Sequence, residues 1–451
     1  MPSPPQLAPE IIDYIIDFLY NDHDALKACS LVSHTFVTTS QYHLKRCLKV
    51  IGRPQSESIR EDSFQYVLDK MDSNPDACQI IQELHLVDNY GKTTPRFLSA
   101  PACLYITNLS AILQRLPSVH ILVLQDLTNI GMGTEEVLGN FSLTKLVFIC
   151  RPSLSTLQSY STTAFMRLLH LFVRIDDMCI SGLPFSPRLA KHTTIGQLLT
   201  EPTLKILPHR PTDIRNVTLE STDSAAMILG VLRWSPPIPG TGDSIRSLDV
   251  DCNNHWDIFL ALNPFVLERG HNLKSLRIKF MKPAEFIHDS LGGGRTHPVE
   301  TMGPIDLSAC TSLQSLTFSI ILDDGLVPKA VAGLYTYMID IIKTTQSTPL
   351  SHIHFEYNFV DFVPLTSMSD YLNRVTDFIK FDETLGSIPQ LNSVTISTAY
   401  IGRTDGYDSP MLPPVNLNNR QVRTTFLDKL SSVASTGRLK FVPMPFPPHR
   451  I

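Results

Sequence analysis

His352, His354 and Glu356 stand two residues apart, so on a β-strand their side chains leave on one side, a possible metal-binding row. Histidine and glutamate on the solvent face of a strand are commoner than a metal site, and we read the row that way. No metal and no cofactor is expected. Gly292-Gly293-Gly294-Arg295 has the composition of a phosphate cradle. No Lys-Ser/Thr follows it and no G-x-G-x-x-G register joins a strand to a helix there, which leaves a flexible loop. H-E-x-x-H, G-x-S-x-G and Walker sequences are absent. With no catalytic constellation in the sequence, the expectation is a protein that is not an enzyme.

The elements that would carry these residues show in a repeat. The pattern apolar-x-x-apolar-x-apolar occurs at Ile81/Leu84/Leu86, Val119/Leu122/Leu124, Leu143/Leu146/Phe148, Ile214/Val217/Leu219 and Ile245/Leu248/Val250. It continues at Leu273/Leu276/Ile278, Leu313/Leu316/Phe318, Leu350/Ile353/Phe355 and Leu391/Val394/Ile396, with Met166/Leu169/Leu171 as a weaker copy. Ser247, Ser275, Ser315 and Ser393 precede the central apolar residue, and Asn89, Asn253 and Asn358 follow it by five, where the leucine-rich-repeat consensus places asparagine at the turn. Between the strands, Ala225 to Trp234, Trp256 to Glu268, Val331 to Lys343 and Tyr371 to Leu385 carry apolar residues three or four apart, the spacing of helices. The expected class is α/β: an irregular leucine-rich-repeat-like solenoid in which crossover helices cover the outer side of a curved parallel sheet.

If the apolar positions face the core, alternation places their neighbours on the opposite, concave face. That face would carry Asp249 and Asp251, then Arg277 and Lys279, then Thr317, then His354 and Glu356. An acidic row beside a basic row could select a protein by complementary charge. The competing reading is a solvated face on which Asp249 pairs with Arg277. Proline and glycine mark loops at 235–243, 283–304 and 401–414, and residues 181–213 show no clear repeat strand.

The chain has 451 residues, 43% hydrophobic and 18% charged, the balance of a folded protein. Its formal charge of -5 and lack of a basic block argue against general nucleic-acid binding. No signal-peptide pattern and no run near ~18 apolar residues is present, so neither secretion nor a membrane partner is expected and a cytoplasmic or nuclear location is. Eight scattered cysteines without C-x-x-C read as reduced and mostly buried.

Residues 1–50 form a separate pattern. Ile11, Ile12, Ile15, Ile16 and Leu19 make an apolar stripe on a helix that Pro9 can open and Asn21-Asp22 can stop. Asp24 can cap a second short helix, and Ser33 a third that carries Phe36, Leu44, Cys47 and Leu48. Helices this short bury little on their own, so they should dock on a larger body or on another protein.

Leu7, Pro9, Glu10, Ile11, Ile15 and Leu19, followed by Leu26, Leu31-Val32-Ser33 and Phe36, resemble an F-box. F-box proteins use this module to hold the Skp adaptor of Skp/cullin/F-box ubiquitin ligases. Ala8, Ser33 and Phe36 depart from the family's usual proline, cysteine and tryptophan, each keeping a small or an aromatic group in place. The resemblance implies a three-helix module over residues 1–50 that binds a Skp-type adaptor through Leu7, Pro9, Ile11, Ile15, Leu19, Leu31 and Phe36. It further implies a substrate-recognition subunit whose repeat domain, 51–440, takes an unknown protein target; the residues that would meet it are those that alternation places on the concave face, Asp249, Asp251, Arg277, Lys279, Thr317 and His354. A Pro-rich tail would follow at 441–451. The alternative is a leucine-rich-repeat interaction scaffold that assembles no ligase.

Overall fold

The computed structural model describes residues 8–19, 22–52, 64–88, 103–127, 129–131, 139–150, 162–182, 212–220, 225–234, 245–252, 256–280, 303–323, 328–360, 372–373, 376–401, 415–416 and 420–442. They divide into two compact units, Met1–Pro187 and Arg188–Ile451, where the sequence suggested 1–50, 51–440 and 441–451. The triple glycine at 292–294, Asn89, Asn253, most of 181–213 and the end of the tail lie outside the described residues, as does Leu7.

The first unit opens with α1 (Pro9–Asp17), α2 (His23–Val32) and α3 (His34–Arg46). Proline occupies the first turn of α1, where its missing N–H costs nothing, and Glu10 complements the positive end of the dipole. Asp22, not Asp24, caps α2: its carboxylate accepts the Ala25 N–H at 2.9 Å, while Asp24 lies within the first turn and pairs with Lys27 at 3.1 Å. Ser33 caps α3 as expected, accepting from the Thr35 N–H. The third helix ends earlier than its apolar spacing suggested. Cys47 and Leu48 belong to β1 (Cys47–Ile51), because a neighbouring strand offers their backbone a ladder and Val50-Ile51 prefer extended structure.

Next come α4 (Gln65–Asp72), α5 (Pro75–Ile80), β2 (Glu83–Val87), β3 (Cys103–Tyr105), α6 (Ile106–Arg115), β4 (Ile121–Gln125) and β5 (Asn129–Gly131). The unit continues with β6 (Phe141–Ile149), α7 (Thr162–Leu169) and β7 (Phe172–Ser181). Strands β1, β2, β4, β6 and β7 pair in that order, all parallel, and β3 pairs with β5 apart from them. Leu48, Leu84, Leu122, Leu146 and Met178 stand side by side across the sheet, with Val50, Leu86, Leu124, Phe148 and Ile180 in the next row. The copy expected at Met166/Leu169/Leu171 is wrong. Met166 and Leu169 lie on α7, since a spacing of three serves a helix as well as a repeat strand, and the strand copy is Ile175/Met178/Ile180.

The second unit contains β8 (Asp213–Glu220), α8 (Ala225–Trp234), β9 (Ser247–Asp251), α9 (Trp256–Arg269), β10 (Ser275–Phe280), β11 (Ser315–Asp323) and α10 (Pro328–Lys343). It ends with β12 (His352–Val360), α11 (Phe378–Gly386), β13 (Ser393–Ile401), β14 (Val415–Asn416), α12 (Arg420–Lys429), α13 (Ser431–Ser435) and β15 (Leu439–Phe441). Strands β8 to β13 pair in sequence order and in parallel, with β14 antiparallel and β15 parallel to β13. The central repeat residues Val217, Leu248, Leu276, Leu316, Ile353 and Val394 align into one buried row. Within the helix expected over 371–385, residues 372–373 are helical and α11 begins anew at Phe378, where the Asp377 carboxylate accepts the Lys380 N–H. Asn358 lies within β12, not at a turn, and its amide reaches Ser319 Oγ at 3.5 Å.

In both units the apolar strand face is closed by helices. Phe148 of β6 meets Phe165 of α7 with ring centroids 5.5 Å apart. Phe280 of β10 stacks on Phe259 of α9 at 6.0 Å, and Phe355 of β12 packs on Phe381 of α11 at 4.9 Å. No helix among the described residues is long and apolar enough to cross a membrane. No disulfide joins the eight cysteines, all of which are described.

Candidate binding surfaces

The expected apolar stripe of α1 divides in two. Ile16 is 2% exposed and Ile12 and Leu19 are half-buried, so this side faces the other helices. Ile11 and Ile15, each 49% exposed, point outward with Phe18 at 70%, and Tyr14 sets its ring edge-on to Phe18 at 4.8 Å. Polar bonds hold the inner side in place. Asp13 accepts from the Thr39 hydroxyl, and Asp17 bonds to His43 Nε2 at 2.7 Å, both partners lying on α3. On α2, Leu26 is fully buried while Leu31 is 87% and Val32 73% exposed. Pro9 is exposed and Phe36 half-buried. The module thus closes its own interior with Ile16 and Leu26 and leaves Ile11, Tyr14, Ile15, Phe18, Leu31 and Val32 in water. Burying such side chains contributes about 1.5–3 kcal/mol each, so this surface gains strongly from a partner. The sequence reading missed Tyr14 and Phe18 and named Val32 without making it a contact residue. A helical wheel drawn around two apolar faces instead of one would have found the first two.

The second surface is the polar face of the second sheet. Asp249, Arg277, Thr317, His354 and Thr395 stand in one row across β9 to β13. Arg277 Nη1 donates to Asp249 Oδ2 at 2.8 Å, and its Nη2 and Nε reach over β11 to Glu356 Oε2 at 2.6 and 3.2 Å. That reach is possible because β11 presents only Ser315, Thr317 and Ser319 beneath the guanidinium. Lys279 lies 3.5 Å from Asp251, His354 Nε2 bonds to Ser397 Oγ at 2.8 Å, and His352 Nδ1 to Ser393 Oγ at 2.7 Å. Burial raises the Asp249 carboxyl against the opposing pull of Arg277, and burial lowers His354. Burial also works against the Arg277 charge, but Asp249 and Glu356 outweigh it and hold the guanidinium protonated. The charges expected to face a target are therefore joined to one another. The pairing of Asp249 with Arg277 is present, and Glu356 is the second anchor. His352, His354 and Glu356 do not converge on a point, since the two imidazoles turn to different serines.

A third cluster was not foreseen. Cys47 on β1 and Glu83 on β2 are register partners, and His85 follows Glu83 on the same face. The Cys47 thiol, a Glu83 carboxylate oxygen and a His85 ring nitrogen all lie within 4.8 Å of one another. Hydrogen bonding to the Cys47 sulfur and then to Glu83 raises His85 to about 9, and the bond to His85 lowers the Glu83 carboxyl. The sequence hid this cluster because Cys47 read as the end of a helix. The alternation Leu48/Val50, matching Leu84/Leu86 on β2, was the available signal.

Comparison of the chain with protein-family models, with curated proteins and with solved structures finds no match.

Proposed function

We propose that this chain is the substrate-recognition subunit of a Skp/cullin/F-box-type ubiquitin ligase. The observation that carries the reading is the apolar surface of α1 and α2, left in water by a three-helix segment whose own interior is already closed. Pro9, Ile11, Ile15 and Leu31, with the half-buried Leu19 and Phe36 at the margin, lie at positions that resemble the adaptor contacts of an F-box. A leucine-rich-repeat-like body fits the rest. Strands follow sequence order in each unit, whereas a doubly wound sheet reverses order at a switch point, and the helices α7, α9 and α11 pack on the apolar strand face.

The chain performs no covalent chemistry in this reading and works in the cytoplasm or nucleus. It holds a target lysine near a charged ubiquitin-conjugating enzyme, raising the effective concentration of the reacting groups. The polar sheet face around Asp249, Asp251, Arg277, Lys279, Thr317 and His354 is the proposed target surface. Its charges are compensated internally, and Asp251, Thr317, Ser319, Ser393 and Ser397 are buried, so a target would bind through the half-buried Ser247, Ser275, Ser315 and Thr395 and through the ordered charge pattern as a whole.

The test is affinity purification with mass spectrometry of the full chain against Ile11→Glu/Leu31→Glu. The wild type should recover a Skp-type adaptor and a cullin, and the double variant should lose both while keeping its other partners. Recovery of the same adaptor by both proteins would overturn the reading.

A further inference from the structure

Cys47, Glu83 and His85 differ from every other polar cluster among the described residues in combining a thiol, a carboxylate and an imidazole at one point. Parallel pairing explains how. Cys47 sits directly opposite Glu83, and the two-residue period of a strand returns His85 to the same face. All three side chains are half-buried, sheltered from bulk water yet reachable by an ion. We propose that these three side chains form a binding site for a zinc-class divalent ion.

The donor set fits that class. Thiolate, imidazole and carboxylate together suit borderline-soft zinc, whereas magnesium and calcium select oxygen ligands alone. Bond lengths of about 2.0–2.3 Å put the ligand atoms of a tetrahedral ion roughly 3.3–3.7 Å apart. His85 Nε2 and Glu83 Oε2 already stand 3.6 Å apart, and the Cys47 thiol lies within 4.8 Å of both side chains' ligand atoms. Arg46 approaches the other carboxylate oxygen, Oε1, at 3.6 Å, which leaves Oε2 turned to the site and fixes the carboxylate's orientation as outer-sphere partners of metal ligands do. The surrounding charges are mixed. Arg46 and the neighbouring Lys49 oppose a cation, while Glu83 and the thiolate formed on binding offset them. With three protein ligands, a water would take the fourth position. A bound ion would tie the first residue after α3 to β2, fastening the exit of the helical segment to the sheet of the same unit.

Cobalt(II) is the probe, because thiolate coordination gives it a charge-transfer band in the near ultraviolet. The full-length chain, stripped with a chelator and kept at mildly alkaline pH, should develop this band with one equivalent of cobalt and lose it to one equivalent of zinc. Cys47→Ser should abolish the band, His85→Gln should weaken cobalt binding at least tenfold, and Cys29→Ser should leave both unchanged. A measurement on the unaltered protein guards against variants that misfold. Zinc should slow alkylation of Cys47 at least tenfold, read by peptide mass mapping, without slowing that of the half-buried Cys29. Absence of the band in the wild type, its persistence in Cys47→Ser, or alkylation of Cys47 unaffected by zinc would each overturn the site.

Discussion

Leu31→Ala separates adaptor binding from folding more cleanly than any other substitution in the helical segment. Its side chain is 87% exposed, so almost all of its apolar surface is still in water in the free chain. Fully burying a leucine contributes about 1.5–3 kcal/mol, of which the alanine methyl retains a part. The truncation should therefore weaken adaptor binding by about 1–2.5 kcal/mol, roughly 5- to 60-fold in Kd. The free chain should not notice the change, because an exposed substitution away from caps and networks stays within about 0.5 kcal/mol. Leu26, five residues earlier and fully buried, is the counterpart. Leu26→Ala should cost about 2–5 kcal/mol of stability through lost burial and the cavity left behind. Isothermal titration of each variant with a purified Skp-type adaptor, beside urea unfolding of the variant alone, gives both numbers. The reasoning is refuted if Leu31→Ala binds as tightly as the wild type, or if it unfolds as readily as Leu26→Ala.

Three other expectations follow from the second unit. A double-mutant cycle of Arg277→Met with Glu356→Gln should give a coupling of roughly 1–2 kcal/mol in urea unfolding, discounted for the partial exposure of Arg277; additivity would show that the bridge contributes nothing. Phe355→Ala, which removes a fully buried ring from contact with Phe318, Tyr357 and Phe381, should destabilise by about 3–5 kcal/mol, visible as an earlier unfolding midpoint. Glu268 is held below the usual carboxylate range by its bond to Arg233, and its contribution is present above the unfolded pKa of about 4.3 and lost as pH falls through the folded one. The wild type should accordingly exceed Arg233→Met in stability by a constant margin above pH ~6, a margin that shrinks toward zero in acid; an unchanging margin at every pH would refute the linkage.

The repeat was legible because one period served two constraints. In Leu276, Leu316 and Ile353 the same spacing that marks a half-buried strand also fixes lateral register, so the aligned rows could be written down from the chain. Helices with continuous apolar faces were equally clear, α8 from Ala225 to Trp234 among them. The failures occurred where two structures satisfy one local pattern. Met166 and Leu169 fit a helix or a repeat strand, and Cys47-Leu48 could end a helix or begin β1; neighbouring strands, invisible in a local window, decided both. Asp22 displaced Asp24 as the cap because α2 starts at His23, two residues earlier than a cap at Asp24 would require. The polar face was legible as a row of residue types. The reach of Arg277 over β11 to Glu356 depends on the three small residues beneath it and needed coordinates to see.

Sedimentation velocity of the purified full chain mixed with a purified Skp-type adaptor tests the central claim most directly, because it needs no knowledge of the target. The account predicts one faster-sedimenting species of equimolar composition for the wild type, and two separate, unshifted species for Ile11→Glu/Leu31→Glu. Two unshifted species with the wild-type chain would contradict it.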